Sequence, residues 1–180
     1  MLDRVLLESA ANGLRNRAAA LSQLEFSEPI SQGFIFDEIH TGLDKTELKN
    51  WLNSSLGDAA KGPVIYKISA CSAEAAQELK ERFEHVDKDF RLPRRNDVDQ
   101  SQVVYVGSSK SISSRLTQHL IFGYQGTYAL HLHTWCPPGQ LAISVEVQAP
   151  SGLINQQILQ DAEDTLWEHC QPLFGRRGAR

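Results

Sequence analysis

Apolar positions recur at helical spacing at the start of the chain. Val5, Leu6, Leu14, Ala18 and Leu21 form one stripe, which predicts an amphipathic helix over residues 3–24. Pro29 and Gly33 interrupt the stretch FSEPISQGFIFDEIHTGL, which reads as irregular. A second helix is expected from Asp44, where Glu47 completes a capping box and Leu48, Trp51 and Leu52 share the buried face. Breakers from Gly57 to Pro63 then divide a helical segment, residues 1–60, from a main domain, residues 61–180.

Beyond Pro63 the period of the pattern falls to two. VIYKIS, VVYVG and LAISVEV read as strands. Between the first two lies SAEAAQELKERFEHV, a helix with Ser72 as N-cap and Ala76, Leu79, Phe83 and Val86 on one face. SSRLTQHLI predicts the next helix, and Ile154 to Cys170 a long closing one. Residues Gly123 to Trp135 fit helix and strand equally. The expected fold is α/β in the α+β sense: a small three-stranded mixed or antiparallel sheet flanked by helices, with an N-terminal helical extension.

Composition narrows the class. Hydrophobic residues make 41% and charged residues 22% of the 180, as in globular proteins. No apolar run approaches the roughly 20 residues that cross a bilayer, so no membrane partner is expected. The N-terminus mixes acidic residues among its apolar ones, unlike a secretory signal. Cys71, Cys136 and Cys170 are an odd number without a pairing pattern, which points to a reducing, cytoplasmic setting.

The net charge is −4, and residues 1–60 hold all of it, with five Lys/Arg against nine Asp/Glu. The remaining 120 residues balance, and their positive charge gathers in two clusters, KDFRLPRR from Lys88 to Arg95 and the tail GRRGAR. Arg91, Arg94 and Arg95 sit in a loop without core pattern and are the expected nucleic-acid contacts. The acidic N-terminal segment is the candidate for a protein partner.

Two strands each deliver a tyrosine, Tyr66 and Tyr105. One helix then offers Arg115 and His119, a turn apart, and a later helix offers Glu163. Metal-assisted phosphodiester hydrolysis needs these groups: a carboxylate for a divalent cation, an arginine against phosphate charge, and a tyrosine or histidine for the proton of an attacking water. Gly107 lets a backbone come close to the next helix or to a phosphate, and Ser108, Ser109 and Lys110 stand where strand hands over to helix. Their hydroxyls and amides would meet a phosphate there or cap the helix.

In this pattern the chain resembles the GIY-YIG endonucleases. VIY resembles the first signature tripeptide, with Val64 and Ile65 in place of Gly-Ile, and Tyr105-Val106-Gly107 resembles the second. Arg115 follows Tyr105 by ten residues, the family's spacing for its catalytic arginine, and His119 stands four later where several members carry histidine. Glu163 precedes Pro172 by nine residues, the spacing of the family's metal-binding glutamate. The likeness covers about residues 62–178. Two features depart from it: the tyrosines lie 39 residues apart, so residues about 70–100 look like an insertion, and the family's terminal asparagine is Gly175.

The resemblance implies a nuclease acting on DNA, with Mg²⁺ or Mn²⁺ on Glu163 and Arg115 offsetting transition-state charge. Tyr66 would be the base for water with its proton accepted by His119, and Tyr105 would position that water or share the role. A stand-alone chain of this size is most similar to restriction or defence-type members. The rival expectation is a catalytically weakened module of the same fold that binds nucleic acid or protein. His131, His133 and Cys136, with His169 and Cys170, invite a zinc reading, but their spacing matches no standard ligand set.

Overall fold

A computed structural model describes residues 3–86, 91–124 and 126–178. Lys88 and Arg180 of the two basic clusters lie outside the described residues. The elements run α1 (Arg4–Ser22), β1 (Ile30–Ile35), α2 (Phe36–Thr41), α3 (Lys45–Leu56), a 3₁₀ turn (Gly57–Lys61), β2 (Val64–Ala70) and α4 (Ala73–Glu84). They continue as β3 (Val103–Ser109), α5 (Ile112–Leu120), the one-turn α6 (Leu132–Trp135), β4 (Ala142–Gln148) and α7 (Gln156–Cys170).

Period-two patterning builds the sheet. β4 turns Ile143, Val145 and Val147 inward and leaves Ser144, Glu146 and Gln148 half-covered on the other face. β2 is central and buried on both faces along most of its length. The four strands lie in the order β1-β4-β2-β3, every neighbour antiparallel. The expected sheet had three strands, and β1 is the fourth.

That strand comes from the stretch expected to be irregular. Ile30–Ile35 pairs with Val147–Ala142 of β4, so the sheet continues across the expected boundary at residue 60 and the N-terminal segment holds a strand besides its helices. Gln32 and Gly33 blur the alternation, and only Phe34 in β1 is buried. Pro29 falls just before the first paired residue, where its missing N–H weakens no ladder bond. An edge strand with one inward side chain leaves little signal in sequence.

Helix caps follow the sequence closely. The Asp44 side chain accepts from the backbone N–H groups of Thr46 and Glu47, and Ser72 accepts from that of Ala75. Leu48 and Leu52 of α3, Leu79 and Phe83 of α4, and Leu116 and Leu120 of α5 join Tyr66, Ile68 and Val145 in one core. β3 is a sheet edge, and α7 packs along it.

Candidate active site

Register brings the two tyrosines together. Tyr66 on β2 stands opposite Gly107 on β3, and Tyr105 stands opposite Ile68, so both rings leave the same face of the sheet. The rings stack at 6.1 Å between centroids. A Cβ at Gly107 would lie 2.6 Å from the Tyr66 hydroxyl and 2.9 Å from the Tyr105 ring. Glycine here clears space for two aromatic side chains, a different reason from the close backbone approach expected.

Helix α5 points Arg115 and His119 at these rings. The Arg115 guanidinium donates from Nε to the Tyr66 hydroxyl at 3.2 Å and from one terminal nitrogen to the Tyr105 hydroxyl at 3.2 Å. It also reaches Gln118 Oε1 at 3.0 Å and the carbonyl of Tyr128 at 3.3 Å. Among the described residues no carboxylate pairs with it. Burial works against its charge, and the two tyrosine oxygens more than offset this, so the group stays fully cationic.

His119 is wholly buried, and its Nδ1 accepts the backbone N–H of Leu130 at 3.1 Å. Its proton therefore sits on Nε2, which is 2.9 Å from the Tyr66 hydroxyl and donates to it. This reverses the expected direction, in which His119 takes the tyrosine's proton. Burial, and then the charge of Arg115, hold the imidazole well below its usual range, so it is neutral. Tyr66 Oη thus accepts two bonds, and its own proton must turn elsewhere. Burial first, then the neighbouring Tyr105, push the Tyr66 hydroxyl far above its usual range, while Arg115 pulls it back.

Glu163 stands on the other face of β3 from the tyrosines and does not line their cleft. Ser108 points opposite to Gly107, toward α7, and its hydroxyl donates to Glu163 Oε2 at 2.5 Å. The carboxyl is only 8% exposed, and burial raises it above the usual carboxylate range although the Ser108 bond lowers it. Its charge is felt at Tyr66, yet no cation bonds to it among the described residues. Ser109 Oγ accepts from the Ser111 N–H, and Lys110 reaches Gln156 Oε1, so the handover residues are engaged with the protein itself.

Sequence left the place of the arginine loop open, and the fold brings it to Tyr105. Gly175 donates its N–H to the carbonyl of Arg94, and Asn96 donates from its backbone to Leu173 and from its side chain to the carbonyls of Pro172 and Gly175. A cleft of about 500 Å³ results, lined by Arg94, Tyr105, Arg115, Tyr128 and Arg176. Arg95 instead turns to Glu84 at 2.8 Å, and Arg91 lies over the Tyr128 ring. Gly175 has φ +105°, and a Cβ there would come within 3.0 Å of the Tyr105 ring. A side chain at this position would be strained by its backbone and would press on the Tyr105 ring. Arg176 belongs to the basic tail noted in sequence, whereas nothing in the pattern around Tyr128 singles that residue out.

The zinc candidates do not converge. Among the described residues no three His, Cys, Asp or Glu side chains come together. His133 stacks on His40 at 4.2 Å, and Cys136 accepts from Arg82 at 3.3 Å, its thiol pushed up to about 11 by burial. No described helix is long and apolar enough to cross a membrane.

Compared with protein-family models, curated proteins and solved structures, the chain gives no significant match.

Proposed function

We propose that this chain is a metal-dependent endonuclease of the GIY-YIG type, hydrolysing phosphodiester bonds of nucleic acid, with DNA as substrate. One observation carries the reading: a largely buried guanidinium is aimed by two tyrosine hydroxyls, has no carboxylate partner, and opens on a cleft with two more arginines. A fixed cation that lacks an anion within the protein is a site for an anion from outside. The cleft's arginines suit a phosphate chain.

A divalent cation fits Glu163. Its carboxylate is buried, hard and without a counter-cation, and Mg²⁺ is commonly held by one or two carboxylates with substrate phosphate and water completing the shell. When bound, Mg²⁺ or Mn²⁺ would supply a Lewis acid for the scissile phosphate and neutralise a charge that otherwise raises the Tyr66 hydroxyl. Ser108 fixes which carboxylate oxygen remains open, by occupying Oε2.

The chain's own residues would then divide the work. Arg115 neutralises charge on the phosphoryl oxygens as water attacks phosphorus and the leaving oxygen departs. Tyr66 would act as base in its phenolate form, its own proton having first passed to solvent; it then takes the proton of the attacking water and returns to the neutral phenol. His119 Nε2–H and Arg115 Nε–H both point at its oxygen, so the two bonds already in place stabilise the phenolate from which the step starts. Tyr105, held by the other end of the same guanidinium, orients the phosphate or the water. A binding module without turnover is the second reading, favoured by the strongly raised Tyr66 hydroxyl. Incubation with supercoiled plasmid decides: the nuclease nicks it with Mg²⁺ or Mn²⁺ and stops when chelator is added, whereas the module leaves it intact.

A further inference from the structure

The loop after α5 places aromatic surface where the cleft opens. Tyr128 lines the cleft and remains 57% exposed, and Tyr124 on the same loop is 76% exposed. An aromatic ring left open at the mouth of a cleft offers a face on which a planar ligand can stack. The Tyr128 ring is not loosely held. Its backbone carbonyl accepts from Arg115, the Arg91 guanidinium carbon lies 5.6 Å from the ring centroid, and Arg91 also donates to the carbonyl of Gly126 at 3.3 Å. The same guanidinium that contacts both site tyrosines therefore fixes the position of Tyr128.

Around this ring the cleft is cationic, with Arg94, Arg115 and Arg176 in its walls. At about 500 Å³ it has the size of a small-molecule site, which is roughly 300–1,000 Å³. A base paired and stacked within a duplex cannot enter such a concavity, whereas an unpaired one can, with its phosphates on the arginines. A ring in a basic groove is the usual platform for single strands, because every base has a stacking face.

We infer that the cleft binds an unpaired nucleotide, stacked on Tyr128 with its phosphates on Arg94 and Arg176, so that the substrate is single-stranded DNA or a single-stranded segment within a duplex. The inference rests on the nuclease reading for the identity of the ligand. Its test requires no cleavage.

Fluorescence anisotropy in the presence of chelator compares a labelled single-stranded oligodeoxynucleotide with the same sequence as a blunt duplex. The single strand should bind about tenfold more tightly or better. Tyr128→Ala should weaken the single strand by about five- to 150-fold, with a smaller effect on the duplex, and Tyr128→Trp should retain affinity. Single abasic substitutions along the oligonucleotide should reveal one sensitive position in the wild type and none in Tyr128→Ala. Equal or tighter binding of the duplex would overturn the inference, as would unchanged single-strand affinity in Tyr128→Ala. Failure of plasmid and oligonucleotide cleavage with Mn²⁺, despite selective single-strand binding, would remove the nuclease and leave the stacking site.

Discussion

The two edges of the sheet are built to different rules. At the β3 edge, hydroxyls, a guanidinium, an imidazole and a carboxylate are drawn into the interior, and each is held by a named partner. At the β1 edge a cavity of about 440 Å³ has the apolar floor of Phe34, Leu48 and Trp51, with Glu38 and Glu47 at its rim. The first edge gathers positive charge in the neutral two thirds of the chain. The second belongs to the segment that carries the whole net charge of −4. On the proposed reading phosphate would be attracted to one edge and repelled by the other, so the charge asymmetry of the sheet would orient a nucleic acid toward the cleft.

The comparison breaks most visibly at Arg115. Arg115→Ala should reduce the rate of plasmid cleavage by about 10²–10³, the effect of losing one preorganised charge contact. Glu47→Gln at the opposite edge should leave the rate unchanged, and nicking assays on the two variants read both. A loss below threefold in Arg115→Ala would make this guanidinium a structural tie between two tyrosines.

Glycines offer the next contrast. Gly175→Ala places a Cβ within 3.0 Å of the Tyr105 ring at φ +105° and should destabilise the fold by about 1–3 kcal/mol. Gly33→Ala in β1 meets only the Ile143 carbonyl at 4.0 Å and should be close to neutral. Urea unfolding of the two variants gives the difference directly.

Smaller effects separate the arginines. Arg94→Ala and Arg176→Ala should each flatten the slope of log K against log salt for single-stranded DNA by about 0.7, one phosphate contact apiece. Arg95→Ala should change it less, since Arg95 is paired with Glu84. Glu38→Gln should leave the slope as it is.

The smallest expected effect is in pH dependence. His119 is depressed in the folded chain, so the unfolded chain takes up a proton first as pH falls below 6.5. Its contribution to stability is complete above 6.5 and is lost progressively below it. Replacing it by glutamine should remove that part of the decline, as followed by thermal unfolding over a pH series.

Much of this fold is legible in sequence because local rules and tertiary structure agree. Asp44 and Ser72 cap the helices they were expected to cap, and the alternation of LAISVEV survives intact in β4. β1 is missed because Gln32 and Gly33 are strand residues only by virtue of pairing with β4. In the site, spacing finds Tyr66, Tyr105, Arg115 and His119, which one strand pair and one helix bring together. The direction of the His119 bond is set by the N–H of Leu130, eleven residues away in a loop with no pattern. Likewise the seat of Arg94 depends on backbone bonds to Gly175, about eighty residues distant.

Glu163 tests the account most directly, because it lies on the opposite face of β3 from the tyrosines and is the proposed metal ligand. Glu163→Gln keeps an acceptor for Ser108 and removes only the charge. Cleavage and DNA anisotropy should be measured on the same preparation, with Mg²⁺ and with Mn²⁺. The account predicts that cleavage is abolished with both ions while affinity for DNA stays within about twofold, since the phosphate-tracking arginines are untouched. Thermal stability should rise, because burial raises the folded carboxyl above its ordinary 4.5 and its ionised form costs stability at higher pH. Turnover at the wild-type rate in Glu163→Gln would contradict the account.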